Sequence, residues 1–260
     1  MPASFVDSAD GTKVRVVTEG TGDRDVLVLH GLAEHAARYA HVSAAWAARG
    51  ARVTVMELRG HGQSGGRRSH VERWSEYVAD VNAVAVTLSP GWTMFAHSMG
   101  GLVALDAVMS GLRPGKLALS NPLLGVRMKV PAWKTTAGRV LSRILPAMAL
   151  ENELDPAGLS RDPAVGQAYA NDPDVYKKVT ARWYTEMTAA QTRVLAAGSW
   201  PVPLGLFLGE SDPITDPPTA RAFAAAVGAH VHAWPDMRHE VVNEIDKEQV
   251  IATVGDWLLA

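Results

Sequence analysis

Short apolar runs and amphipathic stretches alternate through the first 120 residues. Lys13 to Thr18 sets Val14, Val16 and Val17 among basic and polar positions and predicts an early strand. Val26-Leu27-Val28-Leu29 is a continuous aliphatic run, as expected of a strand buried on both faces. A helix is predicted from about Ala36 to Arg49, then a strand over Arg52 to Leu58. A glycine-rich loop, Arg59-Gly60-His61-Gly62-Gln63-Ser64-Gly65-Gly66, follows. Between Glu72 and Leu88, Trp74, Tyr77, Val78, Val81, Val84 and Val86 supply the apolar positions of a helix. Trp92 to Ala96 predicts another buried strand. A helix with Leu102, Leu105, Ala107 and Val108 comes next, and Lys116 to Leu119 is a further strand.

Strand-helix alternation of this kind predicts a mostly parallel sheet with helices on both faces. The alternation stops at Asn121-Pro122. From there to about Ser199 no buried strand is evident. Leu141, Ile144, Leu145 and Met148 recur at helical spacing, interrupted by Pro131 and Pro146, and Val175–Thr185 and Glu186–Leu195 read as helices. The sheet pattern resumes at Val202, with strands at Leu204–Leu208 and Val231–Trp234 and a closing helix near Asn243–Leu259. Residues 1–120 and 201–260 are therefore expected to form one core, with 121–200 as a helical cap inserted over it.

Composition narrows the function classes. A formal net charge of −2 gives no bulk attraction to nucleic acid or anionic membrane. The absence of cysteine excludes disulfides, thiolate catalysis and cysteine-based metal sites. Met1 to Asp10 lacks the basic start and apolar run of a signal peptide, and no stretch has the length needed to span a bilayer. The expected location is cytoplasmic, and the expected partner is a small molecule rather than a nucleic acid. The sequence leaves oligomeric state open.

Candidate chemistry centres on Ala96-His97-Ser98-Met99-Gly100, at the junction of a predicted strand and helix. A serine on such a turn projects its hydroxyl out of the sheet, and small residues two places either side let strand and helix pass closely. Ala96 departs by one methyl group from the usual G-x-S-x-G. A serine needs a base, itself oriented by an acid, in the order Ser, Asp or Glu, His. Asp212 follows the strand ending near Leu208, and His239 follows the strand ending at Trp234. Asp216 and Asp236 are rival acids. Asp212 lies closest after its strand, and Asp236 fits a local turn. Ser98, Asp212 and His239 are thus the expected triad. The backbone N–H groups of Met99, after the nucleophile, and Leu32, in His30-Gly31-Leu32, are the expected oxyanion donors. His30 itself reads as a buried brace of that loop.

Other motifs point nowhere further. Gly60-x-Gly62-x-x-Gly65 formally matches a dinucleotide fingerprint, but Arg67-Arg68-Ser69 intervene before any helix, so no dinucleotide cofactor is expected. His230 and His232 share a strand face without a third ligand, so no metal is expected there. Lys129, Lys134, Arg139 and Arg143 interleave with Trp133, Val140, Leu141 and Ile144. A basic amphipathic helix can rest transiently on a membrane or micelle. The plainer reading is a cap helix packed on the core with a solvated charged face.

Together the motifs resemble the monoacylglycerol lipase and lysophospholipase branch of the α/β-hydrolases. The resemblance rests on His30-Gly31-Leu32-Ala33-Glu34-His35 with Arg38-Tyr39, Leu58-Arg59-Gly60-His61-Gly62-Gln63-Ser64-Gly65, and His97-Ser98-Met99-Gly100-Gly101. It continues through Leu159-Ser160-Arg161-Asp162, Tyr169, Asn171-Asp172-Pro173, Gly209-Glu210-Ser211-Asp212 and His239-Glu240, nearly the whole chain. It implies an α/β-hydrolase fold and a cofactor-free serine hydrolase of single-acyl lipid esters, with a cap forming an apolar acyl tunnel. It also implies that Glu34, Arg38, His97 and Tyr169 sit near the polar head group or support it. Glu34 and Arg38 read equally as a structural ion pair. Val242 stands where relatives of the eukaryotic type often have a second histidine. A short-chain carboxylesterase, a lysophospholipase or a non-catalytic binding protein on the same fold are the alternatives.

Overall fold

The computed structural model describes residues 2–127, 138 and 140–260. Eight strands form one twisted sheet: β1 (Ala3–Asp7), β2 (Lys13–Glu19), β3 (Arg24–Leu29), β4 (Ala51–Met56), β5 (Thr93–His97), β6 (Leu117–Ser120), β9 (Leu204–Gly209) and β10 (His230–Trp234). Their order is β1-β2-β4-β3-β5-β6-β9-β10. β1 and β2 run antiparallel at one edge, and β4 to β10 are parallel. β1 was not evident in the sequence. Its short run is mostly solvent-exposed and carries no apolar alternation strong enough to betray it.

The period of two along the central strands builds both layers. Leu27, Leu29, Met94, Ala96, Leu117, Leu119, Leu206 and Leu208 face one side. There they meet α2 (Ser75–Ala85), α3 (Ser98–Met109) and α6 (Pro217–Val227). Val26, Val28, Val53, Val55, Phe95, Ala118 and Phe207 face the other, under α1 (Ala40–Ala47) and α7 (Lys247–Leu259). Trp46 of α1 ties this layer to α7 through its indole N–H, which donates to the Ile251 carbonyl at 2.9 Å.

Among the described residues, the segment between β6 and β9 adds no strand to the main sheet. It is not purely helical. β7 (Ala149–Glu151) and β8 (Lys178–Thr180) form an antiparallel ribbon, followed by α4 (Pro163–Asn171) after β7 and α5 (Ala181–Leu195) after β8. The helix expected over Val175–Thr185 is corrected: Thr180 is the N-cap of α5, its side chain accepting from the Trp183 N–H at 3.2 Å, and α5 is one unbroken helix. α5 buries Trp183, Met187, Ala190 and Val194 in the core layer beside α3. Val140, Ile144, Leu145 and Met148 do not pack on the core; Ile144 is 70% exposed and Leu145 53%. Lys129, Pro131, Trp133, Lys134 and Arg139 lie outside the described residues.

Candidate active site

Ser98 begins α3 directly after β5 with φ of 50°, a left-handed conformation uncommon for any residue with a side chain. The close packing around this turn is unequal on its two sides. A Cβ at Gly100 would lie 2.4 Å from the His30 carbonyl oxygen, so glycine is required there. Ala96 sits in β5 opposite Leu29 of β3, fully buried, and the sheet face accommodates its methyl group. This is why the departure from glycine is tolerated.

His239 Nε2 lies 3.0 Å from Ser98 Oγ, and His239 Nδ1 lies 2.7 Å from Asp212 Oδ2. All three side chains are buried or nearly so. Burial opposes charge on His239, but the Asp212 carboxylate and its hydrogen bond outweigh it and raise the imidazole pKa. Burial likewise works against the Asp212 anion. The His239 charge and the hydrogen bonds from His239, Thr215 and the Ile214 N–H prevail and hold its pKa below the usual carboxylate range. The arrangement is chemically a nucleophile, a base and an orienting anion. The rival acids have other places. Asp216 is the N-cap of α6, accepting from the Thr219 N–H and hydroxyl, and Asp236 is exposed on a turn. We predict that kcat/KM falls as pH drops through an apparent pKa above the ordinary imidazole value of about 6.5, because the protonated ring cannot accept the Ser98 proton. A pH–rate profile still flat down to about pH 6 would contradict this.

Around the relay, the loop after β3 is braced from below. His30 Nδ1–H donates to the Gly31 carbonyl at 2.7 Å and Nε2 accepts the Leu58 N–H at 3.0 Å, so the ring bridges two strand ends. Leu32 lines the cavity beside Ser98, and Met99 occupies the first turn of α3, where N–H groups have no partner within the helix. In the glycine-rich loop, a Cβ at Gly62 would lie 2.5 Å from the Glu57 carboxylate. Glu57 accepts the Gln63 and Ala36 N–H groups, fastening this loop to the one carrying Leu32. That is a supporting role, and α2 starts only at Ser75.

A cavity of about 260 Å³ opens onto Ser98 and His239. Its apolar wall includes Leu123, Leu154, Leu159, Val179, Trp183 and Met187, all of them from between β6 and β9. Its polar members include Glu34, His97, Tyr169 and Glu240. Arg38 is not among the lining residues. It bridges two buried carboxylates, donating from Nε to Glu34 at 3.1 Å and from Nη2 to Glu240 at 2.6 and 2.8 Å, under the Tyr169 ring. Glu34 also accepts the Gly31 N–H at 2.6 Å and the Tyr39 hydroxyl at 2.9 Å. The ion-pair reading of Glu34 and Arg38 is therefore realised, and Glu34 both braces the loop and faces the cavity. His97 packs its ring 4.6 Å from that of His239; burial and the His239 charge lower its pKa to about 4, so it stays neutral. Val242 is buried and adds no polar group to the cavity wall.

Two site residues escaped the sequence reading. Glu240 is buried beside His239, and burial with the Glu34 charge pushes its pKa up to about 7 against the pull of Arg38. Asn121, with φ of 38°, donates from Nδ2 to Asp212 Oδ2 at 2.6 Å. His35, Asp172 and Asp174 bring potential ligand atoms within 4.8 Å of one another, but His35 Nε2 is engaged with Asp172 at 2.8 Å, joining the β3 loop to the end of α4. His230 and His232 lie on the edge strand β10, where the His232 ring packs, tilted, against that of Trp234.

The family model described as serine aminopeptidase, S33 (Hydrolase_4), matches residues 21–246. A monoacylglycerol lipase of Mycolicibacterium smegmatis is 32% identical over 95% of this chain and 94% of its own length. Phospholipase YtpA of Bacillus subtilis is 29% identical over 86% of this chain and 91% of its length. The crystal structure of Paleococcus ferrophilus monoacylglycerol lipase superimposes with a TM-score of 0.89 at 26% identity, covering 95% of this chain and 98% of that one. These matches run along nearly the full length, and the chain belongs to the Hydrolase_4 (serine aminopeptidase, S33) family of α/β-hydrolases, with relatives named as monoacylglycerol lipase and phospholipase.

Proposed function

We propose that this protein is a lipid ester hydrolase that cleaves monoacylglycerol to glycerol and free fatty acid through Ser98, His239 and Asp212. The observation that carries this reading is the placement of a hydrogen-bonded Ser98–His239–Asp212 chain against a largely apolar cavity that Ser98 and His239 line. Ser98 Oγ attacks the acyl carbonyl and passes its proton to His239 Nε2. The N–H groups of Leu32 and Met99 receive the oxyanion. His239 returns the proton to the leaving glycerol oxygen, which departs as the alcohol and leaves the acyl group on Ser98. Water, deprotonated by His239, then attacks the acyl carbonyl, and His239 returns the proton to Ser98 Oγ as the fatty acid is released. Asp212 keeps the imidazole in the tautomer that this requires and balances its transient charge.

Residues 121–200 act in this reading as the cap that supplies the acyl tunnel. Glu34, His97 and Tyr169 are the polar groups nearest the head group, and Arg38 supports Glu34 from behind. Contact of the cap with a lipid surface completes the proposal, because Val140, Ile144, Leu145 and Met148 expose apolar side chains there. Among the described residues no helix is long and apolar enough to cross a membrane, so such contact would be peripheral.

Initial rates across monoacylglycerols, a lysophospholipid and simple esters, from short to long acyl chains, test the substrate class. Preference for medium or long monoacylglycerols is expected. A maximum at short soluble esters would make this a general carboxylesterase instead. In the same series, the double variant Ile144→Ser, Leu145→Ser should bind neutral vesicles at least about tenfold more weakly while hydrolysing a soluble short ester normally. Unchanged vesicle binding would remove the surface-contact part.

A further inference from the structure

The turn that leaves β6 touches His97, Ser98 and Asp212. Ser120 meets His97 Nδ1, its carbonyl and its hydroxyl each 3.1 Å away. The Leu123 N–H donates to the Ser98 carbonyl at 3.0 Å. Between them, Asn121 is buried and left-handed. Its side-chain amide extends the β6–β9 ladder beyond the last backbone pair: Oδ1 accepts the Gly209 N–H at 2.7 Å, and Nδ2 reaches the Gly209 carbonyl at 3.3 Å. The same Nδ2 donates to Asp212 Oδ2 at 2.6 Å, the oxygen that accepts the His239 Nδ1–H.

Close packing surrounds Gly209. A Cβ there would lie 2.1 Å from the Arg238 carbonyl oxygen, so the strand carrying Asp212 is pressed against the loop carrying His239. Asn121 is therefore fixed through the sheet, while its amide aims one donor at a carboxylate that must stay oriented through two proton transfers. Asn121 is not among the residues lining the cavity.

We propose that Asn121 is a positioning residue that holds the Asp212 carboxylate in register with His239 and tempers its charge. The proposal rests on the triad reading above. An amide N–H on Oδ2 draws off part of the negative charge that the imidazolium feels. Removing it leaves a more strongly basic partner for His239 and a carboxylate with one restraint fewer. Other groups act on His239 as well: the Glu240 and Glu34 carboxylates favour its charged form, and the His97 ring packs against it. None of these is changed by a substitution at 121.

Asn121→Gly is the variant of choice, since glycine accepts the left-handed backbone without strain. Asn121→Ala, which keeps a Cβ, is its companion. With Asp212 and His239 intact, kcat should fall about tenfold in both, with KM changed less than about twofold. The acid limb of kcat/KM should move up by roughly half a pH unit or more. A far-downfield proton signal of the His239 Nδ1–H bond, present in the native protein, should shift in both variants. A loss of kcat with an unmoved acid limb and an unmoved proton signal would make Asn121 a mere brace of the sheet and overturn the proposal, as would native kcat. If both variants fail to fold, Thr215→Val, which deletes another donor to the same oxygen, should shift the acid limb the same way; an unmoved limb there overturns the proposal. Failure of the triad reading itself would look different: Ser98→Ala would then retain turnover whatever happens at position 121.

Discussion

Replacing Ser98 with alanine is expected to lower kcat for ester hydrolysis by about 10⁵- to 10⁶-fold. The hydroxyl is the only part of the side chain that the variant removes, and its oxygen is the atom 3.0 Å from His239 Nε2. Among the described residues, no other hydroxyl is hydrogen-bonded to His239 Nε2. Alanine carries the same Cβ as serine, so the left-handed φ of 50° costs it no more, and the melting temperature should change little. Residual catalysis then comes from the oxyanion donors and binding alone. Steady-state kinetics with a monoacylglycerol, alongside thermal unfolding, measures both; turnover within about tenfold of the native rate would discredit Ser98 as the nucleophile.

Asp212→Asn should cost about 10⁴-fold in kcat, and some stability too. Each oxygen of this carboxylate is surrounded by donors. Oδ1 accepts the Ile214 N–H at 2.7 Å and the Thr215 N–H at 3.2 Å. Oδ2 accepts from His239 Nδ1, Asn121 Nδ2 and the Thr215 hydroxyl. An amide NH₂ in either position meets groups that donate to the native carboxylate. Placed at Oδ1 it collides with two backbone N–H groups that cannot turn away. Placed at Oδ2 it donates to His239 and selects the tautomer whose Nε2 carries a proton and cannot accept one from Ser98. A buried donor left without an acceptor costs about 1–3 kcal/mol, so unfolding should occur at lower temperature as well. Native kcat in a folded Asp212→Asn protein would be incompatible with Asp212 as the orienting acid.

Much of this site could be read from the chain because each principal residue comes straight after an apolar run. Ser98 follows β5, Asp212 follows β9 and His239 follows β10, so predicting the strands already put all three on one sheet edge. The parallel core was legible for the same reason: Val26 to Leu29 and Leu204 to Leu208 are too apolar to be anything but buried. Asn121 was visible only as the point where the alternation stopped. Its partners lie 88 and 91 residues away, and only the adjacency of β6 and β9 brings them together. Glu240 looked like the neighbour of a histidine, and its burial against Glu34 through Arg38 is a tertiary fact. The segment between β6 and β9 was the least legible. The ribbon strands β7 and β8 have three residues each, shorter than any period can reveal, and the apolar spacing at Leu141, Ile144, Leu145 and Met148 indicated a helix without saying which way it faces.

The most direct test of the account is mass spectrometry of the native chain after reaction with a long-chain alkyl fluorophosphonate, with and without a long-chain monoacylglycerol as competitor. One adduct per chain, on the peptide containing Ser98 and formed more slowly in the presence of monoacylglycerol, is the predicted result. Modification at another residue, or labelling of Ser98 that monoacylglycerol leaves untouched, would contradict it.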